Sequence, residues 1–136
     1  NSETQRRSEL SEVRCGRSRR RMKILIVDDN AEMRRLLRDL LEDVAEEIFE
    51  CIDGGEACTS YEAHFPDWVL MDIRMQKLDG ITATREITSA WPEARVMMVT
   101  DYDDAKLREA ARLAGATEYV TKENLFEIKR VLLGGL

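Results

Sequence analysis

The stretch "DWVLMDIRMQKLDG", residues 67–80, joins an unbroken apolar run to a charge. Four apolar residues, 68–71, lead directly into Asp72, and the chain then becomes polar. A short, continuously apolar run predicts a strand that is buried on both faces, as in the centre of a parallel sheet. A lone buried carboxylate is costly unless another group pairs with it. Asp72 is therefore predicted either to cap a solvated loop or to belong to a site.

Similar apolar runs lie on both sides of this stretch and alternate with amphipathic segments. The five runs are "KILIVD" (23–28), "EIFECI" (47–52), "DWVLMD" (67–72), "ARVMMV" (94–99) and "TEYVT" (117–121). Helical patterns begin near Asn30, Gly54, Gly80, Asp103 and Glu123. Five strands that alternate with five helices predict an α/β fold with right-handed crossovers and an open, doubly wound sheet. In such sheets ligands bind beyond the carboxyl ends of the strands.

Length and composition predict one domain without a membrane span. The chain has 136 residues, enough for one domain with a substantial core. No apolar run approaches the roughly 18 residues that a membrane span needs. The first residues, "NSETQRRSEL", lack the apolar core of a signal peptide, which predicts a cytoplasmic protein. Three cysteines outside any C-x-x-C pattern and one histidine predict free thiols and no zinc site.

Charge divides the chain at Met22. Residues 1–21 hold seven arginines and three glutamates, about +4, whereas the whole chain carries −6, so residues 22–136 carry about −10. The first segment is polar and has neither helical nor strand periodicity, which predicts a flexible basic arm. Two interpretations of this arm stay open. It contacts nucleic acid or an acidic partner, or it is a disordered leader that precedes a domain over residues 22–136.

Chemically useful residues follow four of the five apolar runs. Asp28 and Asp29 end the first run, Asp72 ends the third, Thr100 follows the fourth, and Lys122 follows the fifth. Taken singly, each has a purely structural explanation as a loop acid, a β-branched strand residue or a solvated lysine. Because the carboxyl ends of parallel strands share one edge of a sheet, the five side chains are expected to lie together.

Three carboxylates at one edge require a positive charge. At an effective dielectric constant near 20, two carboxylates about 5 Å apart repel each other by about 3 kcal/mol. Oxygen ligands without a nearby histidine suit Mg2+, and a lysine and a hydroxyl add groups that can hold phosphoryl oxygens. The first strand is followed by "DDNAEM", which has no Gly-rich nucleotide cradle. A phosphoryl group would therefore come from a donor, and Asp72 is the natural nucleophile.

Four stretches resemble the receiver domain of two-component response regulators, over residues 22–136. They are "ILIVDDN", "VLMDIRMQKLDG", "VMMVTDYDD" and "GATEYVTKENL", the last two being similar to receivers of LuxR/NarL-type regulators. The resemblance implies a flavodoxin-like, five-stranded parallel sheet of order 2-1-3-4-5 with helices on both faces. It also implies that Asp72 is the phospho-acceptor. The implied Mg2+ ligands are Asp28, Asp29, Asp72 and the main-chain carbonyl of Arg74.

The resemblance further implies a signalling switch that catalyses only its own phosphorylation and dephosphorylation. Thr100 and Lys122 would contact the phosphoryl group, and Tyr119 would swing inward with Thr100. The donor would be a sensor histidine kinase or a phosphotransfer protein. The output would be a face formed by the fourth helix, the fifth strand and the fifth helix, through which a partner or a second copy binds. The chain would be a single-domain regulator or the receiver of a longer protein with a DNA-binding effector domain.

Three positions depart from the family pattern. Gln76 stands where proline is common, and the change is expected to loosen the loop after Asp72. Glu123 also stands where proline is common, which puts in doubt the cis peptide expected after Lys122. Asp101 stands where a small residue is usual and is expected to narrow access to the site or repel a donor. Arg74 and Tyr102 lie where side chains screen attacking water in the family, so slow self-dephosphorylation is expected.

Two alternatives to a phosphorylated switch are considered. One is a haloacid-dehalogenase-like phosphohydrolase, which also phosphorylates an aspartate at a strand end. Such enzymes place a second acid two residues after the nucleophile, where this chain has Arg74, so no general acid is available. The other is a receiver-like interaction module that works without phosphorylation, which Gln76 and Asp101 favour and the complete set of site residues disfavours.

Overall fold

The computed structural model describes residues 22–75 and 78–134. Its strands are β1 (Met22–Val27), β2 (Ala45–Cys51), β3 (Trp68–Met71), β4 (Val96–Thr100) and β5 (Glu118–Thr121). Its helices are α1 (Ala31–Leu41), α2 (Ala57–His64), α3 (Gly80–Ala90), α4 (Ala105–Leu113) and α5 (Phe126–Leu132), and a 3₁₀ turn, Gly54–Glu56, precedes α2. The arm predicted over residues 1–21 and the position of Gln76 lie outside the described residues.

The strands form one parallel sheet in the order β2-β1-β3-β4-β5. This order confirms the flavodoxin-like sheet that the resemblance implied. All residues of β3 and β4 and the last four residues of β1 are buried, because helices cover both faces of these central strands. The edge strands β2 and β5 mix buried, half-buried and exposed residues and carry glutamates toward solvent. The continuously apolar runs therefore identified the three central strands.

The side chains of β1 alternate between two hydrophobic clusters, one on each face of the sheet. Leu25 and Val27 belong to the cluster under α2, α3 and α4. Ile24 and Ile26 belong to the cluster under α1 and α5. Each cluster buries aliphatic side chains from strands and helices, so together they supply the apolar burial that stabilises the domain.

Side-chain caps fix the starts of three helices. The carboxamide of Asn30 accepts a hydrogen bond from the amide of Met33, and the carboxylates of Asp79 and Asp104 cap α3 and α4 in the same way. The predictions for the second and fifth helices were wrong by about three residues. Asp53 caps the 3₁₀ turn that takes up the Gly54 region. Hydrogen-bonded turns occupy residues 121–125 before α5.

Two further expectations concern the backbone and the membrane. No peptide bond within the described ranges is cis, so the bond from Lys122 to Glu123 is trans. None of the helices in the described part of the chain is long and apolar enough to cross a bilayer.

Candidate functional site

The sheet brings the predicted acids to one edge, beside the carboxyl ends of β1 and β3. The amide of Asp72 donates to the carbonyl of Val27 (2.9 Å), and the amide of Asp28 donates to the carbonyl of Cys51 (3.1 Å). The parallel ladders thus continue one residue beyond each strand and hold Asp28 and Asp72 side by side. Both are buried, with 2% and 7% exposure, whereas Asp29 is exposed at the rim.

The three carboxylates form a cluster that fits a divalent cation. Asp28, Asp29 and Asp72 each offer an oxygen, and these oxygens lie within 4.8 Å of one another. Neighbouring ligand oxygens around octahedral Mg2+ are about 3 Å apart, given Mg–O bonds of about 2.1 Å. Small side-chain rotations would bring the carboxylates to that spacing. An all-oxygen set with an exposed rim suits Mg2+, which keeps several waters.

Lys122 joins two of the three acids. Its ammonium donates to Oδ2 of Asp28 (3.1 Å) and makes an ion pair with Oδ1 of Asp72 (3.5 Å). The amide of Lys122 donates to the carbonyl of Thr100 (2.8 Å), which ties the end of β5 to the end of β4. The lysine side chain is only 14% exposed. The sheet therefore delivers one positive charge directly into the cluster, as the sequence predicted.

Negative charge exceeds positive charge in the cluster. Burial, and then the charge of Asp28, raise the pKa of Asp72 to about 6, although Lys122 acts in the opposite direction. Burial alone would lower the pKa of Lys122, but Asp72 and Asp28 outweigh it and the pKa is raised. One lysine thus faces three acids. A bound divalent cation would relieve the remaining repulsion.

Thr100 and Tyr119 meet the loop after β4, residues 101–104. The hydroxyl of Thr100, fully buried, accepts a long hydrogen bond from the amide of Tyr102 (3.4 Å). The hydroxyl of Tyr119 donates to the carbonyl of Tyr102 (2.5 Å), and the guanidinium of Arg108 lies 4.5 Å from the centre of its ring. Both predicted switch residues therefore contact one residue, Tyr102.

Arg74 and Tyr102 connect the loop after Asp72 with the loop after β4. The guanidinium of Arg74 lies 4.6 Å from the centre of the Tyr102 ring, a cation–π contact. Both residues were predicted to lie beside the acceptor, but their contact with each other was not predicted. The role of the Arg74 main-chain carbonyl as a metal ligand stays a prediction.

Two residues that support the cluster were missed from sequence. Arg34 donates from Nη1 to the carbonyl of Asp28 (2.8 Å), a contact whose only sequence signal is its place one turn after the cap Asn30. Gly80 packs so closely on the acceptor that a Cβ atom there would lie 1.9 Å from the carbonyl oxygen of Asp72. A glycine at a helix start gave no hint of that contact, because the sequence does not show how the loop returns to the sheet.

Comparison with known proteins agrees with this geometry. Residues 24–131 match the family model of the response regulator receiver domain. The chain is 39% identical over 111 residues to the chemotaxis protein CheY of Bacillus subtilis (strain 168), an alignment that covers 81% of this chain and 91% of that protein.

Solved structures show the same fold. A two-component response regulator of the LuxR family from an Aurantimonas species is 33% identical, with a TM-score of 0.76 over 83% of this chain and 86% of that one. The CheX-CheY-BeF3-Mg complex of Borrelia burgdorferi contains a chain that is 26% identical, with a TM-score of 0.72 over 82% of this chain and 88% of that one. With its sheet order, its acid cluster and the family match over residues 24–131, the chain belongs to the response regulator receiver domain family.

Proposed function

We propose that this receiver accepts a phosphoryl group on Asp72 in an Mg2+-dependent reaction, with a sensor histidine kinase or a phosphotransfer protein as donor in the cytoplasm. The observation that carries the proposal is the cluster of Asp28, Asp29 and Asp72 with Lys122 inserted between two of them. The CheY complex of Borrelia burgdorferi, which contains BeF3 and Mg, supports the same chemistry in a relative.

The chain's own residues account for the transfer. Asp72, with a pKa near 6, is mostly ionised at neutral pH, and its carboxylate oxygen attacks phosphorus while the bond from phosphorus to the donor nitrogen breaks. Asp28, Asp29, Asp72 and the carbonyl of Arg74 would hold Mg2+, which supplies positive charge to the transferring group. Lys122 pairs with the phosphoryl oxygens, and the hydroxyl of Thr100 donates to one of them. The protein thus catalyses only its own phosphorylation and dephosphorylation.

The new charge changes the conformation of the face formed by α4, β5 and α5. Thr100 turns toward the phosphoryl group and draws the loop with Tyr102 along. Tyr119, on β5, follows through the hydrogen bond from its hydroxyl to the carbonyl of Tyr102. A charge-driven shift of a two-state face is how such modifications act. We propose that a second copy or another partner binds this face. In a longer parent chain the reader would be a DNA-binding effector domain, as the likeness to a LuxR-family regulator suggests.

The test is intact-mass measurement after incubation with acetyl phosphate or phosphoramidate, with and without Mg2+. We expect one phosphoryl adduct in the presence of Mg2+ and none with excess chelator, because the acids repel an anionic donor unless a cation neutralises them. Inorganic phosphate in place of the donor is the control. An adduct that forms equally well with chelator would contradict the metal requirement.

A phosphorylation-independent interaction module is the second candidate. Asp101 favours it, because this exposed acid follows Thr100 directly and adds negative charge near Lys122. Complete lack of an adduct with every small donor and with Mg2+ would favour this candidate. The fold and the family would be unaffected.

The Arg74–Tyr102 contact is expected to lengthen the life of the phosphoryl group. Replacing Tyr102 by Ala removes the ring against which the Arg74 guanidinium packs. A cation–π pair contributes about 1 kcal/mol, or about fivefold in rate. We therefore expect Tyr102→Ala to shorten the half-life of the adduct about fivefold, measured by mass after removal of the donor. Tyr102→Phe, which keeps the ring, is expected to match the wild type. Equal half-lives in all three proteins would show that the contact does not exclude water.

A further inference from the structure

Arg34 holds the main chain between two acids of the cluster. Its Nη1 donates to the carbonyl oxygen of Asp28 (2.8 Å), and its Nε donates to Oε1 of Glu50 (2.9 Å). The side chain is 17% exposed, so this single guanidinium joins α1, β2 and the loop at residues 28–30, here called the acid loop. A planar guanidinium with two fixed partners restrains the group that it contacts more than a lysine would.

The carbonyl that Arg34 binds belongs to the peptide between Asp28 and Asp29. The side chain of Asp28 has partners of its own, since Oδ1 accepts from the amide of Asn30 (2.9 Å) and Oδ2 from Lys122. Asp29 lies at the exposed rim, where the direction of its side chain depends on the orientation of the preceding peptide. Fixing this peptide therefore aims the Asp29 carboxylate at the cluster.

Glu50 is shared by two arginines of α1, and only one of them reaches the acid loop. Arg38, one turn after Arg34, donates from Nε to Oε2 of Glu50 (2.8 Å) and from Nη2 to the carbonyl of Ile48 (3.2 Å), both on β2. Burial would raise the pKa of Glu50, but the hydrogen bonds from Arg38 and Arg34 outweigh it and lower the pKa. Both arginines thus form an ion pair with Glu50, but they donate to different main-chain carbonyls.

We propose that Arg34 is a positioning residue for the divalent cation, acting through the Asp28 carbonyl rather than through the ion pair with Glu50. The inference rests on the proposed Mg2+ site. Groups that orient metal ligands without touching the metal change affinity by about 10- to 100-fold when they are removed. Arg34 fits that role because the carbonyl that it contacts belongs to the peptide that links two predicted ligands, Asp28 and Asp29.

The experiment compares Arg34→Met with Arg38→Met in the full chain. Mn2+ binding is followed by the loss of the free-ion electron paramagnetic resonance signal, Mg2+ binding by competition, and stability by urea unfolding without metal. We expect Arg34→Met to weaken Mg2+ binding about tenfold or more and Arg38→Met less than about twofold. At saturating Mg2+, phosphorylation of the Arg34→Met protein should recover, because the acceptor itself is intact.

Three results would overturn the inference. Equal losses of Mg2+ affinity in the two variants would assign the effect to the Glu50 ion pair and thus to general stability. Wild-type affinity in Arg34→Met would show that the acid loop needs no such restraint. Absence of Mn2+ and Mg2+ binding in the wild type would overturn the proposed metal site together with this inference, whereas the first two results leave that site standing.

Discussion

Replacing Asp72 by Asn is expected to abolish the phosphoryl adduct and, at the same time, to make the metal-free protein more stable at neutral pH. The adduct is lost because an amide cannot attack phosphorus as a carboxylate does. Stability rises because Asn keeps the shape of the side chain but removes a buried charge that Asp28 repels. A gain in stability together with a loss of function separates the acceptor role from any damage to the fold.

The size of the gain follows from the pKa of Asp72. The pKa is about 6 in the folded protein against an ordinary value of 3.8, so the folded state binds the proton more tightly than the unfolded state. Protonated Asp72 therefore contributes to the free energy of unfolding. This contribution is complete below about pH 4 and is lost as the pH rises to about 6. Two pKa units correspond to about 3 kcal/mol. Since Asn resembles the protonated form, we expect a gain of about 2 to 3 kcal/mol at neutral pH and little difference near pH 4.

Urea unfolding of both proteins at the two pH values, with and without Mg2+, measures this effect. Added Mg2+ should stabilise the wild type and have less effect on the variant, because one ligand is missing. Asp101→Asn is the control. It removes an exposed acid beside Thr100, so its stability should change by less than about 0.5 kcal/mol and its adduct should remain. An adduct on the Asp72→Asn protein would refute the acceptor assignment, and equal stability at neutral pH would refute the burial argument.

The sheet and the acid cluster could be predicted because both depend on periodicity along the chain. Continuously apolar runs occur where both faces of a strand are covered, which identified β1, β3 and β4. Once the strands are parallel, the residues that follow them must share one edge. Asp28, Asp72 and Lys122 therefore came together without any knowledge of loop conformation.

The contacts that orient the site could not be predicted, because they depend on the paths of loops and on rotamers. Nothing in the sequence shows that Tyr102 offers its carbonyl to Tyr119 and its ring to Arg74. Arg34 and Arg38 look alike on the same helix, yet only Arg34 reaches the main chain of the acid loop. The start of α5 was misplaced for a related reason. The helical sequence pattern begins at Glu123, but hydrogen-bonded turns form before Phe126, and the pattern alone does not show where such turns replace the helix.

Gly80→Ala is expected to lower the free energy of unfolding by about 3 kcal/mol, although alanine favours helices by about 1 kcal/mol over glycine. The added Cβ would lie 1.9 Å from the carbonyl oxygen of Asp72 and 2.9 Å from Cγ of Met71. The main chain cannot easily shift, because two hydrogen bonds hold it. The amide of Gly80 donates to the carbonyl of Ile73 (2.8 Å), and the amide of Asp72 donates to the carbonyl of Val27 on β1 (2.9 Å). We therefore also expect weaker Mg2+ binding and slower phosphorylation, as relief of the clash displaces the acceptor.

Gly134→Ala is the matched control for this prediction. Apart from Gly134 and its chain neighbours, no heavy atom of the described residues lies within 4 Å of the added Cβ. The cost is therefore expected from the left-handed backbone, with a φ of 89°, and amounts to about 1 to 2 kcal/mol. Urea unfolding, Mn2+ binding and intact mass after acetyl phosphate treatment compare the two variants with the wild type. If Gly80→Ala kept wild-type stability and Mn2+ affinity, the close approach of α3 to Asp72 would not be a constraint. If it lost both while Gly134→Ala lost only stability, the start of α3 would be part of what holds the acceptor in place.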